Sequence, residues 1–274
     1  MTCAKADLHH RYAGSHAGAG YCLVVTSDAG RRSRTASVRK QEAPRKRARD
    51  GTRSEEAETG AQDPPHGVTV ASINIPFHPR YERLALAYVA VLTCLNCWPC
   101  IIDDSRNEGR LTELVKLIKR CHLSLHDMSY VKTDLSGGKR LPRFNMALEL
   151  GMAVAITTLE REDGLERPHR YAVFESVPYQ IHKTLSDLGG IDVRIHDGTP
   201  SGVIRAVLSA FPHRVRSVSP STVERLLKQL NQRYRQLRAM GHQSIFDARC
   251  FDIVRAYAIE ANDEAGGRVV AGRA

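Results

Sequence analysis

Apolar runs alternate with helix-length segments from Gly67 onwards, and this alternation constrains the fold more than any other feature of the sequence. Five runs have the length and composition of strands: VTVASINI (68–75), PCIIDDS (99–105), HLSLHDMS (122–129), RYAVFES (170–176) and IDVRIHD (191–197). The segments that follow them predict helices at 79–96, 108–120, 143–160, 178–188 and 200–211. A helix after every strand is typical of parallel pairing, because each crossover needs a helix to return.

This order predicts an α/β fold with a five-stranded parallel sheet flanked by helices, flavodoxin-like, with strand order 2-1-3-4-5. Ligands of such sheets bind at the carboxyl ends of the strands, near the switch point between strands one and three. Polar residues gather at these ends, and we expect a binding crevice there, although loops are polar in any protein. They are Ser72, Asn74, Asp103, Asp104, Ser105, Asp127, Ser129, Glu175, Ser176, His196 and Asp197.

The loops of this segment disfavour two common kinds of phosphate site. The first loop, NIPFHPRYERL, has no glycine-rich cradle, and residues 67–212 contain neither GxGxxG nor GxxxxGK[ST]. The longest loop, YVKTDLSGGKRLPRF (130–144), has a mobile composition and follows the third strand. We expect this loop to act as a lid over the crevice.

The net charge of +10 is concentrated outside the α/β segment. Residues 1–66 carry +4 and lack periodicity, which predicts a disordered basic tail, whereas the α/β domain at 67–212 carries only +1. A C-terminal helical extension (213–262) and a flexible tail (263–274) complete the predicted organisation. Nucleic-acid contact through the basic flanks is one interpretation, but we favour solvated flanks.

Two helices are predicted in the C-terminal extension. STVERLLKQLNQRYRQLRAM begins with a capping Ser221 or Thr222 and has a leucine stripe opposite arginines, and a second helix is expected at about 244–261. The pair could form a docking module, an oligomerisation surface or a nucleic-acid face. We favour a helical hairpin that packs on the domain.

The cysteines and the apolar runs bear on metal binding and location. Cys94, Cys97 and Cys100 have CxxCxxC spacing, but the next cysteine, Cys121, lies beyond a whole predicted helix, so we expect free thiols and no metal. No apolar run reaches the roughly 20 residues that span a bilayer. The predictions are a cytoplasmic protein and no membrane partner.

The stretch LPRFNMALELGMAVAI (141–156) predicts a helix that is apolar on all sides, and therefore buried, with one acid, Glu149. Asn145 lies one turn before Glu149, so the two share a face near the end of the third strand, where Asp127 is expected. Glu149 could be a catalytic carboxylate, or it could pair with Arg143 or Arg140. The residues alone leave both interpretations open.

The motifs CHLSLHDMS and PRFNMALELGMAVA resemble the TIR-like and nucleoside 2-deoxyribosyltransferase-like group of flavodoxin-like proteins, in particular small bacterial members. The resemblance covers about residues 68–212. It implies cleavage or transfer at an N-glycosidic bond between a ribose and a base. It also implies that Glu149 is catalytic and that Asp127, Asn145 and the end of the first strand, Ser72 to Asn74, line the sugar and phosphate site. Asp103 and Arg143 complete our predicted substrate-binding set.

From the resemblance we expect an NAD or NAD(P) glycohydrolase, or a deoxyribosyltransferase-like enzyme, with the nucleotide as substrate and no cofactor. Activation by a homo-oligomer and a role in bacterial antiviral defence or stress are part of the same expectation. The alternatives are a module that senses a nucleotide without turnover and a protein-interaction scaffold.

Overall fold

The computed structural model describes residues 64–101, 110–129, 133–136, 139–142, 145–185, 190–215 and 218–267. Its main sheet has five parallel strands in the order β2-β1-β3-β6-β7, which is the predicted order 2-1-3-4-5. The flavodoxin-like α/β fold is therefore confirmed. The strands are β1 (Thr69–Asn74), β2 (Cys97–Cys100), β3 (Leu123–Asp127), β4 (Thr133–Ser136), β5 (Lys139–Pro142), β6 (Arg170–Glu175) and β7 (Val193–Ile195).

Seven α-helices lie in the described part of the chain, and a 3-10 turn at Pro79–Tyr81 leads into the first. They are α1 (Glu82–Cys94), α2 (Arg110–Arg120), α3 (Asn145–Glu162), α4 (Gln180–Thr184), α5 (Pro200–Ala210), α6 (Pro220–Ala239) and α7 (Ala248–Glu264). Helix α4 is much shorter than the predicted 178–188. Among the described residues, no helix has the length and apolar content needed to cross a bilayer.

The prediction of an irregular loop over 130–144 was wrong in part. Strands β4 and β5 form an antiparallel hairpin in this segment, with Ser136 opposite Lys139 and Thr133 opposite Pro142. The composition suggested a loop because Ser, Gly and Lys dominate the middle of the segment. The flanking residues nevertheless form a two-stranded ladder.

Helix α1 is buried on every side, from Leu84 to Thr93. One side of α1 packs on the sheet, and α5, α6 and α7 pack on its other sides. This surrounding explains why its sequence, ERLALAYVAVLTC, is apolar without a polar stripe. The largest hydrophobic cluster of the described residues is built around this helix.

The prediction that α3 is buried all round was wrong. Only Glu149, Leu150, Ala153, Ile156 and Thr157 are buried, whereas Leu148 is 48% exposed and Leu159 is 59% exposed. Helix α3 lies on the opposite face of the sheet from α1, and no described helix covers its outer side. An apolar sequence therefore does not by itself distinguish a helix covered on all sides from a helix on the surface.

The C-terminal helices pack on the α/β core as the favoured interpretation expected. The predicted stripe of α6 is buried, at Val223, Leu226, Leu227, Leu230, Tyr234 and Leu237. The cap is Ser219, whose side chain accepts a hydrogen bond from the Thr222 N–H. From α7, the buried Arg255 guanidinium lies 4.8 Å from the centre of the Trp98 ring on β2. The three boundaries between the four predicted segments stay predictions, and residues 1–63 and 268–274 lie outside the described residues.

Replacement of Leu230 tests whether α6 belongs to the main core. Leu230 is fully buried, so we expect Leu230→Ala to lower the free energy of unfolding by about 2–5 kcal/mol, as large-to-small changes in cores do. Gln229→Ala, on the exposed side of the same helix, should change it by less than about 0.5 kcal/mol. Urea unfolding measures both values. Equal small effects would show that α6 does not stabilise the core.

Candidate functional site

A small cavity lies beside the adjacent strands β1 and β3, between the sheet and the helices α2 and α3. The chain runs from β1 to β2 on one side and later places β3 on the other side of β1, so this is the topological switch point of the sheet. The lining residues are Ser72, Ile73, Asn74 and His126 from the sheet, Leu114, Leu117 and Ile118 from α2, and Glu149 from α3.

The pleat of the strands explains which polar residues share this face. Side chains two apart on a strand point to the same side of a sheet. Ser72 and Asn74 on β1 are in register with Ser124 and His126 on β3. The sheet therefore presents two adjacent columns of buried polar side chains towards α2 and α3.

A chain of hydrogen bonds runs from Asn74 through His126, Ser124 and His169 to the backbone of Cys121, and we call it the polar chain. His169 Nδ1 lies 2.9 Å from the Cys121 carbonyl oxygen, which can only accept, so Nδ1 carries the proton. In the neutral ring, His169 Nε2 is then an acceptor, and the Ser124 hydroxyl donates to it at 2.8 Å. Ser124 Oγ in turn accepts from His126 Nε2 at 2.8 Å. His126 Nδ1 is left as the acceptor for the Asn74 amide nitrogen at 3.0 Å.

A single carbonyl group thus fixes the direction of four hydrogen bonds and the tautomers of two neutral histidines. Burial, and then the charge of His169, lower the pKa of His126 to about 3. Burial is also the largest cause of the lowered pKa of His169. At neutral pH the side chains of this hydrogen-bonded chain are uncharged. The chain holds the Asn74 amide with its nitrogen towards His126.

Glu149 of α3 is the acidic residue of this cavity. It is only 6% exposed, and it lines the cavity together with Ser72 and Asn74. Asn145, one turn earlier, is exposed at the first position of α3 and is not among the lining residues. Asp103 and Arg143 lie outside the described residues.

Asp127 lies on the other face of the sheet, because it follows His126 directly on β3. Its Oδ2 accepts from the Tyr88 hydroxyl at 3.1 Å and lies 3.2 Å from His196 Nε2, and its Oδ1 accepts from the Ser129 N–H at 3.0 Å. Burial and then the charge of Asp127 raise the pKa of Tyr88. The structure therefore does not bring Asp127 to the cavity beside Glu149, and its contacts join β3 to α1 and to the end of β7.

Two thiols lie next to the cavity wall. Cys100 Sγ and Cys121 Sγ are 3.6 Å apart, and Cys121 also hydrogen-bonds to Ser72. The hydrogen bond with Cys100, followed by that with Ser72, lowers the pKa of Cys121. Among the residues that the structure describes, no group of three or more His, Cys, Asp or Glu side chains is placed to hold a metal ion.

The cavity is small, and the layer that closes it is thin. Its volume of about 10 Å³ accommodates about one water molecule. Among the described residues, α2 and α3 are joined by a cluster of four buried hydrophobic residues, against which Val115, Met152 and Tyr171 pack. The four are Leu114, Ile118, Ala153 and Ile156. Such a small cluster has less apolar area to expose on opening than the large core around α1.

Sequence reasoning did not identify three residues of the polar chain, namely Ser124, His126 and His169. The signal was present in the third strand, LSLHD, where Ser124 and His126 alternate with leucines and so share one face. His169 had no such signal, because it precedes β6 and reaches Ser124 only through the pairing of β3 with β6.

Comparison with known proteins identifies no relative: no protein-family model, no curated protein and no solved structure matches the chain.

Replacement of Ser124 tests the polar chain. Ser124→Ala leaves the His126 N–H without its acceptor and His169 Nε2 without its donor in a buried layer. We expect the free energy of unfolding to fall by about 1–3 kcal/mol. Ser209→Ala, which removes an exposed hydroxyl bonded to the Ala206 carbonyl, should cost less than about 1 kcal/mol. Urea unfolding measures both values, and an equal loss of unfolding free energy in the two variants would contradict the proposed hydrogen bonds of Ser124.

The lowered pKa of His126 predicts acid-sensitive stability. The folded chain holds His126 neutral down to about pH 3, whereas the unfolded chain binds that proton near pH 6.5. The free energy of unfolding is therefore unaffected by His126 protonation above about pH 6.5. As the pH falls from there towards 3, it decreases by about 1.4 kcal/mol per pH unit for one proton. His169 contributes with the same sign.

Urea unfolding between pH 4.5 and 7 measures this dependence. His126→Gln should reduce the slope of unfolding free energy against pH by up to about 1.4 kcal/mol per pH unit, which is the value for one proton. An unchanged slope in the variant would show that His126 is not held neutral in the folded chain.

Proposed function

We propose that the chain hydrolyses the N-glycosidic bond of NAD or a related nucleotide at the cavity lined by Glu149, Ser72 and Asn74. The observation that carries the proposal is the position of Glu149: it is a buried carboxylate beside polar side chains at the switch point of the sheet. Ligands of open α/β sheets bind at this place. The resemblance of 121–152 to nucleoside-processing enzymes supplies the choice of bond.

The residues suit the charge that this reaction develops. As the bond from C1′ of the ribose to the nicotinamide nitrogen breaks, the bonding electron pair leaves with the base and the sugar becomes cationic. A fixed carboxylate close to C1′ stabilises that cation, or acts as nucleophile or as base for water. Water then supplies the new C1′ oxygen, and the products are ADP-ribose, nicotinamide and a proton.

Ser72 and Asn74 are proposed to bind the ribose hydroxyls. The polar chain holds the Asn74 nitrogen on His126, which leaves the amide oxygen as an acceptor for a hydroxyl donor. Asp127 is not part of this proposal, because it bonds to Tyr88 and His196 on the other face. Asn145, Asp103 and Arg143 stay predicted substrate contacts.

Substrate entry requires the cavity to enlarge, since about 10 Å³ does not admit a ribose. We propose that α2 and α3 separate, because the cluster between them has four buried residues in the described part of the chain and is much smaller than the core around α1. The exposed apolar side of α3, with Leu148 and Leu159, supports the accompanying proposal of activation by self-association. The proposed setting is the bacterial cytoplasm, and the defence role rests on the resemblance alone.

The decisive variant is Glu149→Gln, which removes the charge and keeps the shape. We expect nicotinamide release from NAD by the purified protein, and a loss of at least about 100-fold in kcat in the variant. Glu162→Gln, an exposed change at the end of the same helix, is the matched control and should leave kcat unchanged. Nicotinamide release is measured with dilute and with concentrated protein.

The other outcomes separate the alternatives. Equal turnover by wild type and Glu149→Gln would contradict the catalytic role of Glu149. Binding of NAD by both proteins without turnover would replace the hydrolase by a nucleotide sensor. If the protein neither binds NAD nor turns it over at any protein concentration, the remaining alternative is the protein-interaction scaffold.

A further inference from the structure

A pair of cysteines joins the end of β2 to the end of α2. Cys100 is the last residue of β2, and Cys121 follows Arg120, the last residue of α2. Their Sγ atoms are 3.6 Å apart, so the two sulfurs are in contact. Helix α2 therefore lies between the two cysteines in the sequence, and their side chains meet at its C-terminal end.

Strand β1 positions both sulfurs. Cys100 is in register with Ser72, and its Sγ lies 3.4 Å from the Ala71 carbonyl oxygen. Cys121 hydrogen-bonds to Ser72. Ala71 and Ser72 are consecutive buried residues in the middle of β1. The two thiols are therefore held side by side by a rigid element of the sheet.

The pair also differs from the other described thiols in reactivity and access. The thiolate is the nucleophilic form of cysteine. Burial raises the pKa of Cys94, Cys97 and Cys250 to about 11 in each case. In contrast, the pKa of Cys121 is lowered, and the hydrogen bond with Cys100 is the largest cause. Cys100 is only partly buried, so a small oxidant can reach the pair from its side.

We propose that Cys100 and Cys121 form a reversible disulfide, with hydrogen peroxide as the oxidant, and that this bond fixes the end of α2 on the sheet. The Cys121 thiolate first attacks one peroxide oxygen: an S–O bond forms, the O–O bond breaks, and hydroxide leaves as water with the thiol proton. The Cys100 sulfur then attacks the sulfur of the Cys121 sulfenic acid. An S–S bond forms, the S–O bond breaks, and hydroxide leaves with the Cys100 proton as a second water. The thiol pair loses two electrons, and these reduce the peroxide to water.

The movement that this bond requires is small. The sulfurs of a disulfide are about 2 Å apart, so the two Sγ atoms must approach each other by about 1.6 Å. Both cysteines lie at the ends of their elements, where side-chain rotation and a small backbone shift disturb few backbone hydrogen bonds. Because α2 lines the cavity of Glu149, the disulfide fixes one wall of that cavity. The proposal does not depend on NAD hydrolysis, since neither cysteine lines the cavity.

Disulfide mapping of the full chain tests the proposal. The reduced protein is treated with hydrogen peroxide, its remaining thiols are alkylated, and its tryptic peptides are analysed by mass spectrometry. We expect the loss of two free thiols per chain and a bond between Cys100 and Cys121 that dithiothreitol cleaves. The peptide 84–106 also contains Cys94 and Cys97, so fragmentation identifies the bonded sulfur. Cys94→Ser, outside the pair, should form the same disulfide.

Urea unfolding measures the effect of the bond on the fold. Oxidation should shift the unfolding midpoint of the wild type to higher urea, because the cross-link restricts the unfolded chain. Cys100→Ser and Cys121→Ser should each lose the disulfide and this shift. The absence of a Cys100–Cys121 bond in the oxidised wild type, a bond from Cys121 to another cysteine in its place, or oxidation of Cys121 to a sulfinic acid without a disulfide would each overturn the proposal.

Discussion

The burial of α1 on all sides is the constraint on which the rest of the structure depends. A helix with no polar stripe must be covered completely, and the sheet alone covers only one side. Helix α5 covers a second side, and α6 and α7 cover the remainder. Arg255 on α7 contacts Trp98 on β2. Phe246, between α6 and α7, stacks on Phe77, which follows β1. These two contacts connect the C-terminal helices to the sheet and its loops. The C-terminal helices are therefore part of the core that holds the sheet.

This arrangement makes the two faces of the sheet unequal. The α1 face carries the large hydrophobic cluster, whereas the α2 and α3 face carries two small clusters and a buried polar chain. A thin layer costs less to open, and polar groups between strands and helices give a ligand its hydrogen-bond partners. The polar chain needs its directional bonds because a buried histidine without a partner is costly. The candidate site lies on this thinner face.

Much of the fold was predictable from the sequence, because strand and helix periods were clear and crossover rules leave few topologies. The four crossover helices and the closing helix α5 followed from local patterns, and the strand order followed from the usual order of flavodoxin-like sheets. The burial of α1 and the exposure of one side of α3 did not, because both helices are apolar on every side. Which helix becomes central depends on where α6 and α7 dock, and this is a long-range property. The hairpin of β4 and β5 was missed because turn-forming residues masked its short ladder.

The site was predictable in part for the same reason. Ser72, Asn74 and Glu149 meet because the switch point and the helical register bring them together. Asp127 was expected beside them, but a shift of one position along a strand reverses the face of a side chain. His169 was not expected because its contact with Ser124 depends on the pairing of β3 with β6.

A crystal structure of the Glu149→Gln variant with NAD tests the proposed site most directly. We expect the nicotinamide ribose between α2 and α3, with the side chains of residue 149 and Asn74 within hydrogen-bond distance of the sugar. Asp127 should still be bonded to Tyr88 and His196. A ribose bound on the α1 face, in contact with Asp127 or His196 and remote from residue 149, would contradict the proposed catalytic site.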